Sequence, residues 1–424
     1  MSDPRNIPSS RLGRLARLAS VGARAGVGLL GPGDGSGAAR HAAEVLGTLR
    51  GVAAKVGQMA SYVDGIVPEG QREAYETAMK SLRDRAPRSA PHEIRRVIEE
   101  DLGAPIDRLF STWDDEPIAS ASIGQVHRAE LADGREVAVK VQHPGIVAAM
   151  ESDLANAGLL QGFAGIAAGP RVDAKRLFDV IRTRMREELD YRLEGERMVH
   201  FAGVHADDPL VRVPSLIADR SAARVLTTTF ARGRSFDEAC AASREERTRW
   251  AETMWRYVFR GTLVGGVLNA DPHPGNYVFQ EDGGVAFLDY GCVQTMSVER
   301  REKARRTHRA AVAGDDRAFA EAVRHMVDAR PGRLGDLAVT YTRRCFQPLF
   351  ASPYVVTRSW AASLVGGMKE MAQTAKSVPM DEFFDMPPDM IFFNRLQFGF
   401  YSVLARLDVE VDYRREERTF LPPA

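Results

Sequence analysis

The chain is 424 residues long and is short of cysteine, of net charge and of long apolar runs. Its three cysteines, Cys240, Cys292 and Cys345, lie far apart and form neither a metal-ligand spacing nor a disulfide framework. That scarcity predicts a reducing, cytoplasmic setting. Lys plus Arg and Asp plus Glu both number 57, so bulk charge offers nothing to attract nucleic acid. No apolar stretch reaches the roughly 18 residues that a membrane-crossing helix needs. The opening Met1, Ser2, Asp3, Pro4, Arg5 lacks the apolar core of a secretory leader. Internal repeats are missing too. The Gly-rich stretch from Gly31 to Gly37 has no Lys-Ser/Thr ending, which excludes a Walker phosphate loop and leaves a linker. With 44% apolar and 27% charged residues, the composition is that of an ordinary globular protein. The length suffices for a two-lobed core plus extensions.

What is present begins with a basic segment. On a helical wheel Leu12, Leu15, Leu18, Ala16 and Ala19 gather on one side. Arg14, Arg17 and Arg24 gather on the other, Arg11 lies at the border, and no acidic residue occurs between Asp3 and Asp34. Such a helix predicts weak peripheral contact with an anionic membrane, at the inner face for a cytoplasmic protein. An Arg-rich presequence has the same composition.

Helical periodicity follows over 45–63, 69–83 and 92–102. The period then changes. Ile118 to Glu130 and Arg135 to Gln142 read as strands joined by the turn Ala132, Asp133, Gly134. Long helices are expected over 146–168 and 174–201, and a β stretch over 223–230. After Gly233 the pattern is helical, with one β exception at 277–279 and 285–288. The apolar segment from Phe392 to Leu407 is interrupted by Asn394, Arg395 and Arg406, so it reads as a packed helix. The expected fold class is α+β: a bilobal, protein-kinase-like layout with a β-rich small lobe and a helical large lobe. The expected division is a flexible basic segment over 1–40, a helical extension over 41–110, a small lobe over 111–232 and a helical lobe over 233–424.

The chemistry concentrates in two short stretches. Asp271 and Asn276 stand five residues apart, and Asp289 follows thirteen residues later, before Tyr290 and Gly291. Moving a γ-phosphate requires a carboxylate near the nucleophile and hard oxygen ligands for Mg2+. Protein kinases supply them at this spacing. The β stretches between Asn276 and Asp289 form a hairpin that would bring those two together as metal ligands, leaving Asp271 as the catalytic carboxylate. Upstream, Glu136 to Lys140 is a strand whose Lys140 can hold nucleotide phosphates as a point charge. Alone it would read as an exposed strand Lys. Just before it, Ala119, Ser120, Ala121, Ser122 and Gly124 occupy the place of a glycine-rich phosphate lid, with a single glycine. Ala and Ser restrict the backbone there and bring Cβ atoms toward the nucleotide.

These stretches together resemble the UbiB (AarF-domain) family of atypical kinases, which includes proteins supporting coenzyme Q biosynthesis. The Ala-rich loop carries the resemblance with two further motifs: Lys55, Val56, Gly57, Gln58 matches Lys-x-Gly-Gln, and Glu188, Leu189, Asp190 matches Glu-x-Asp. It covers residues 10 to 410 or thereabouts. It implies that the Lys55 helix folds over the place where a protein kinase takes its peptide, with Lys55 directed at Glu188 and Asp190. Glu194 is a further candidate partner. It also implies ATP and Mg2+ as cofactors, ATPase or small-molecule/lipid kinase chemistry, little protein kinase activity, and a lipid or quinone precursor as partner. Protein partners and a homodimer are left open. The chain departs from many relatives at Thr229, in the expected adenine-binding hinge, where they carry an acidic residue. It also lacks the paired membrane helices of some bacterial members. Two other readings compete. An aminoglycoside- or choline-kinase-like phosphotransferase would use the same Asp271, His273, Asn276 loop, and a non-catalytic scaffold would only sense nucleotide.

Overall fold

The computed structural model describes residues 88–120, 123–155, 174–384 and 390–421. Lys55, Gln58, Ala121, Ser122, the basic segment and the helices expected over 45–63 and 69–83 lie outside the described residues. The chain divides into two compact units. Among described residues, one comprises the chain up to 155 with 185–193 and 215–230, and the other 174–184, 194–214 and everything from 231 onward.

The first unit is an antiparallel sheet carrying a helix. Helix α1 (Pro91–Leu102) starts with a proline at its first turn and stops at Gly103, whose φ of 72° is the left-handed conformation that glycine tolerates. Ala90 N donates back to Glu93 Oε2 at 3.2 Å, which satisfies an amide that the helix leaves open. After the short α2 (Ile106–Leu109) come β1 (Thr112–Trp113), β2 (Ala119–Ser120), β3 (Gly124–Glu130) and β4 (Glu136–Gln142). Strand order is β1-β3-β4-β6, with β2 also on β3 and β6 spanning Val225–Thr229. The expected turn is present. Leu131 N donates to Arg135 O at 2.9 Å, and Gly134 has φ 85°. Side chains alternate along β4. Val137, Val139 and Val141 are fully buried against Ile94, Val97 and Ile98 of α1, each worth about 1.5–3 kcal/mol. The period of two therefore turns Lys140 to the opposite face.

After α3 (Ile146–Ala155) the structure corrects one expectation. The helix anticipated over 174–201 is two helices, α4 (Ala174–Glu187) and α5 (Tyr191–Val204), broken at Glu188-Leu189-Asp190. Distant partners capture the backbone there. Gln142 Nε2 donates to Leu189 O at 2.7 Å, and Tyr191 N donates to Ala223 O at 2.9 Å. Asp190 Oδ1 accepts from Arg192 N at 3.1 Å, as a residue opening a helix does.

The second unit is built on α7 (Arg244–Arg260), which follows β5 (Val211–Arg212) and the short α6 (Phe236–Cys240). Ser243 caps α7, and Trp250, Met254, Trp255 and Tyr257 form its buried face. The helix ends in a π turn (Gly261–Gly265), a distortion that often marks functional segments. Next come β7 (Val267–Asn269), β8 (Tyr277–Phe279), β9 (Val285–Phe287) and β10 (Val293–Thr295), then helices α8 (Val298–Ala313), α9 (Asp316–Met326), α10 (Arg333–Cys345) and α11 (Gln347–Phe350). The chain closes with β11 (Tyr354–Val355), α12 (Arg358–Ser377), α13 (Met390–Leu407), β12 (Glu410–Val411) and α14 (Tyr413–Arg418). The expectation of a single β exception after Gly233 is therefore corrected: β7 pairs with β10, and β11 with β12. These strands are two or three residues long, too short for an alternating pattern. Among the described residues no helix is long and apolar enough to cross a membrane.

Candidate active site

The loop carrying Asp271 leaves β7 and enters β8, and the loop carrying Asp289 leaves β9 and enters β10. Both are therefore held at each end by a β ladder. In the β8–β9 hairpin Tyr277 faces Phe287 and Phe279 faces Val285. One step further, Leu288 N donates to Asn276 O at 3.0 Å. Asn276 and Asp289 thus sit at the same end of one hairpin. On the other side Ala270 N donates to Cys292 O at 2.8 Å, which extends the β7–β10 pair into the two loops.

Side chains fix the loops internally. Asn276 Nδ2 donates to Asp271 O at 3.1 Å, so its amide oxygen points the other way. Gly291 N donates to Asp289 Oδ1 at 3.0 Å, orienting that carboxylate. Asn269, which sequence reasoning passed over, ties the loops to each other: its Nδ2 donates to Asp289 O at 2.5 Å and its Oδ1 accepts from Asp271 N at 3.1 Å. His273 Nδ1 accepts from Gly275 N at 3.0 Å and opens the short turn Pro274–Asn276. His273 is a loop-shaping residue in this arrangement.

Arg395 is the second residue missed. It sits on α13, and its Nη2 donates to Asp271 Oδ1 at 2.9 Å, with 11% and 15% of the two side chains exposed. Its Nη1 lies 3.5 Å from Cys292 Sγ. In the sequence Arg395 registers only as a charge interrupting an apolar helix. Below the loops Tyr257 stacks on Phe287 with centroids 3.5 Å apart, and burial raises the pKa of both Tyr257 and Tyr290, keeping the phenols neutral. Glu194, buried in this unit, accepts from Tyr290 N at 3.4 Å.

The remaining candidates lie in the first unit. Lys140 is paired in register with Val126 and Leu226, and its Nζ stands 5.1 Å from the Tyr191 ring centroid. Glu188 is buried and Asp190 exposed. Ala119 and Ser120 pair with Val126 and Gln125. Thr229 ends β6, where its Oγ1 accepts from Ser215 N at 2.9 Å. Gly124 is in β3, where a Cβ would come within 2.4 Å of Val141 O and 2.7 Å of Tyr191 Oη. A close approach, not an unusual φ, requires the glycine there. Two neighbours in the same motif are structural. Gln125 and His127 are fully buried, joined Nε2 to Nε2 at 2.9 Å, and anchored at Ser89 N and Asp114 O.

A family description, the ABC1 atypical kinase-like domain, matches residues 81–323. The chain belongs to the ABC1 (UbiB) atypical kinase family. Among curated relatives it is 31% identical over 336 residues to the rat mitochondrial atypical kinase COQ8B, covering 74% of this chain and 62% of that protein. It is 33% identical over 276 residues to mouse AarF domain-containing protein kinase 1, covering 62% and 50%. The chain thus spans about half to three-fifths of the length of these two. Among solved structures it is similar to Mycobacterium tuberculosis Rv3197, determined as a complex with erythromycin, with TM-score 0.62 and 27% identity over 89% of this chain and 94% of that one. The fold is kinase-like α+β, an antiparallel sheet followed by a largely helical region. Membership in the ABC1 family points to nucleotide binding.

The residues present fit a hard cation. Asn276 offers an amide oxygen and Asp289 a carboxylate, both oxygen donors at one hairpin end. Among described residues no cluster of three or more His, Cys, Asp or Glu could hold a metal ion by itself. A Mg2+ at this point would need phosphate oxygens and water to complete its shell, as nucleotide-bound Mg2+ does.

Proposed function

We propose that this chain is a Mg2+-dependent ATPase or small-molecule/lipid kinase with little protein kinase activity. The observation that supports it best is the joined pair of loops: Asn269 links Asp271 to Asp289, and Asn276 shares a hairpin end with Asp289. In this reading Asn276 and Asp289 hold Mg2+, which neutralises charge building on the phosphates. Lys140 holds the phosphates. Asp271 orients the attacking water or hydroxyl and takes its proton as the new bond to the γ-phosphorus forms and the bond to ADP breaks. Arg395 is a positioning residue that holds the Asp271 carboxylate at one oxygen. Lys55, Gln58, Glu188 and Asp190 are proposed to restrict access to peptides, with Ala119 to Ser122 and Gly124 as the phosphate-facing loop and Thr229 at the hinge. The setting proposed is the inner face of a membrane, in isoprenoid quinone or other lipid metabolism. Resemblance to the coenzyme Q type, including the 31% identity to COQ8B, supports that part.

A thermal shift titration tests the nucleotide reading. Wild type should be stabilised by ATP only when Mg2+ is present, and Asp289→Asn should lose that stabilisation. An unchanged ATP-induced shift in Asp289→Asn sinks the assignment. Transfer of labelled phosphate from ATP to generic protein substrates should be negligible. Robust transfer would refute the restriction to small acceptors.

A further inference from the structure

A half-open cavity of about 140 Å³ lies within the second unit, walled by residues of α7, α8, α10 and α13. Trp255, Leu349 and Phe400 are buried parts of its wall. Phe259, Phe346 and Phe393 also line it and are only half-buried. Covering such rings with an apolar guest gains about 25 cal/mol per Å². A concave, mostly apolar site with a few polar groups is the usual form of a small-molecule pocket. A cavity near this size takes up one benzene-sized ring.

The wall also carries a sign. The Arg300 guanidinium, on the first turn of α8, is part of it. Among the described wall residues there is no Asp or Glu. Arg395 is flanked on α13 by the wall residues Asn394 and Leu396, yet it bonds to Asp271. The other ionisable wall groups add no negative charge. Burial raises the Tyr341 phenol and pushes the Cys345 thiol up to about 12, so both stay neutral. His308 is engaged by the buried Glu417 carboxylate at 2.9 Å, and Glu417 is not a wall residue. Thr262 Oγ1 donates to Val258 O at 2.7 Å, and Gln397 is hydrogen-bonded to the Cys345 thiol, so these two serve the frame. A cationic guest would meet Arg300 with no described carboxylate in the wall to offset it. A carboxylate guest would meet a planar fork, whose five N–H groups can serve it alongside other acceptors.

We infer that this pocket binds a small carboxylic acid with a one-ring or short-chain apolar body, its carboxylate on Arg300 and its body against Phe259, Phe346 and Phe393. None of the wall residues is among those proposed to hold nucleotide or Mg2+, so the inference does not depend on that reading.

The test uses the whole chain near neutral pH, saturation-transfer NMR and three probes. They are 4-methylbenzoate, its neutral counterpart 4-methylbenzamide, and acetate, which has the charge without the ring. The benzoate should bind saturably and about tenfold tighter than the amide, the effect of one charge-assisted hydrogen bond at a partly exposed site. Acetate should show no saturable binding over the same concentrations. Arg300→Gln removes the charge at a half-buried position; both ring probes should then bind with equal affinity. Ala304→Leu extends a buried wall residue into the space and should abolish binding of both. Should Ala304→Leu fail to fold, the Arg300→Gln comparison decides by itself. No saturable binding of 4-methylbenzoate to wild type overturns the site, and so does undiminished binding in a folded Ala304→Leu. Equal affinity of benzoate and amide for wild type, or a preference that survives in Arg300→Gln, overturns the carboxylate assignment. Acetate binding as tight as that of the benzoate overturns the apolar body.

Discussion

Two motif-bearing segments of this chain behave in opposite ways. Around Asp271 and Asp289 the polar side chains are engaged by loop backbone and, at Asp271, by Arg395, and they stay half-buried. Around Gly124 the motif turns inward: Gln125 and His127 are fully buried, and Gly124 has no room for a methyl group. The difference teaches that a family motif mixes groups left half-exposed in a loop with groups that hold the frame. Only burial and partners separate them. Gly124, read as part of a phosphate lid, is required first by Val141 O and Tyr191 Oη.

The comparison predicts that changes near Asp271 cost turnover and changes near Gly124 cost stability. The largest effect is expected from Asp271→Asn. Phosphate release from ATP should fall by about 10²–10⁴-fold, the usual contribution of a positioned base, with the melting temperature nearly unchanged. A variant that keeps wild-type phosphate release would remove Asp271 from the chemistry.

Two buried histidines sharpen the contrast. His127 has partners on both nitrogens, whereas His205, 2% exposed and stacked on Tyr257 with centroids 5.2 Å apart, has none among the described residues. Burial lowers both pKa values, that of His205 to about 4. The unfolded chain, titrating near 6.5, then binds more protons than the folded one between those values. Stability from His205 is thus complete above pH 6.5 and declines by about 3 kcal/mol as pH falls to 4. His205→Phe keeps the stacking and should flatten that part of the pH profile in urea unfolding. His127→Phe should instead destabilise at every pH, because it strips partners from Gln125 and Asp114 O.

Gly124→Ala should lower unfolding free energy by about 1–3 kcal/mol, since its methyl meets backbone and cannot be accommodated by a side-chain rotation. Turnover per folded molecule should change far less than in Asp271→Asn. The reverse pattern would make Gly124 a ligand-facing residue after all. The smallest effect is assigned to Arg395→Lys, which keeps the charge and loses the planar fork. Its turnover should fall about tenfold, or about 1.4 kcal/mol, without a change in melting temperature. An equal loss in Arg395→Lys and in Arg395→Ala would mean that the guanidinium geometry, not charge, holds Asp271.

Local signals carried much of this protein. Arg135 to Gln142 read as a strand and Ala132, Asp133, Gly134 as its turn, as they are in the structure. The spacing of Asp271, Asn276 and Asp289 announced a hairpin carrying polar residues. Each depends on residues within a few positions of each other, where period and φ preference act directly. What escaped depends on partners far along the chain. The break at Glu188-Leu189-Asp190 is made by Gln142 and Ala223, 47 and 32 positions from the atoms they bind. Arg395 reaches Asp271 across 124 positions. Asn269 looks like any strand-end residue until its two bonds are seen. Hydrogen bonds and ion pairs of this kind have no period, so no pattern announces them. They exist only once packing has brought the two groups within about 3 Å and excluded the water that would otherwise satisfy each of them.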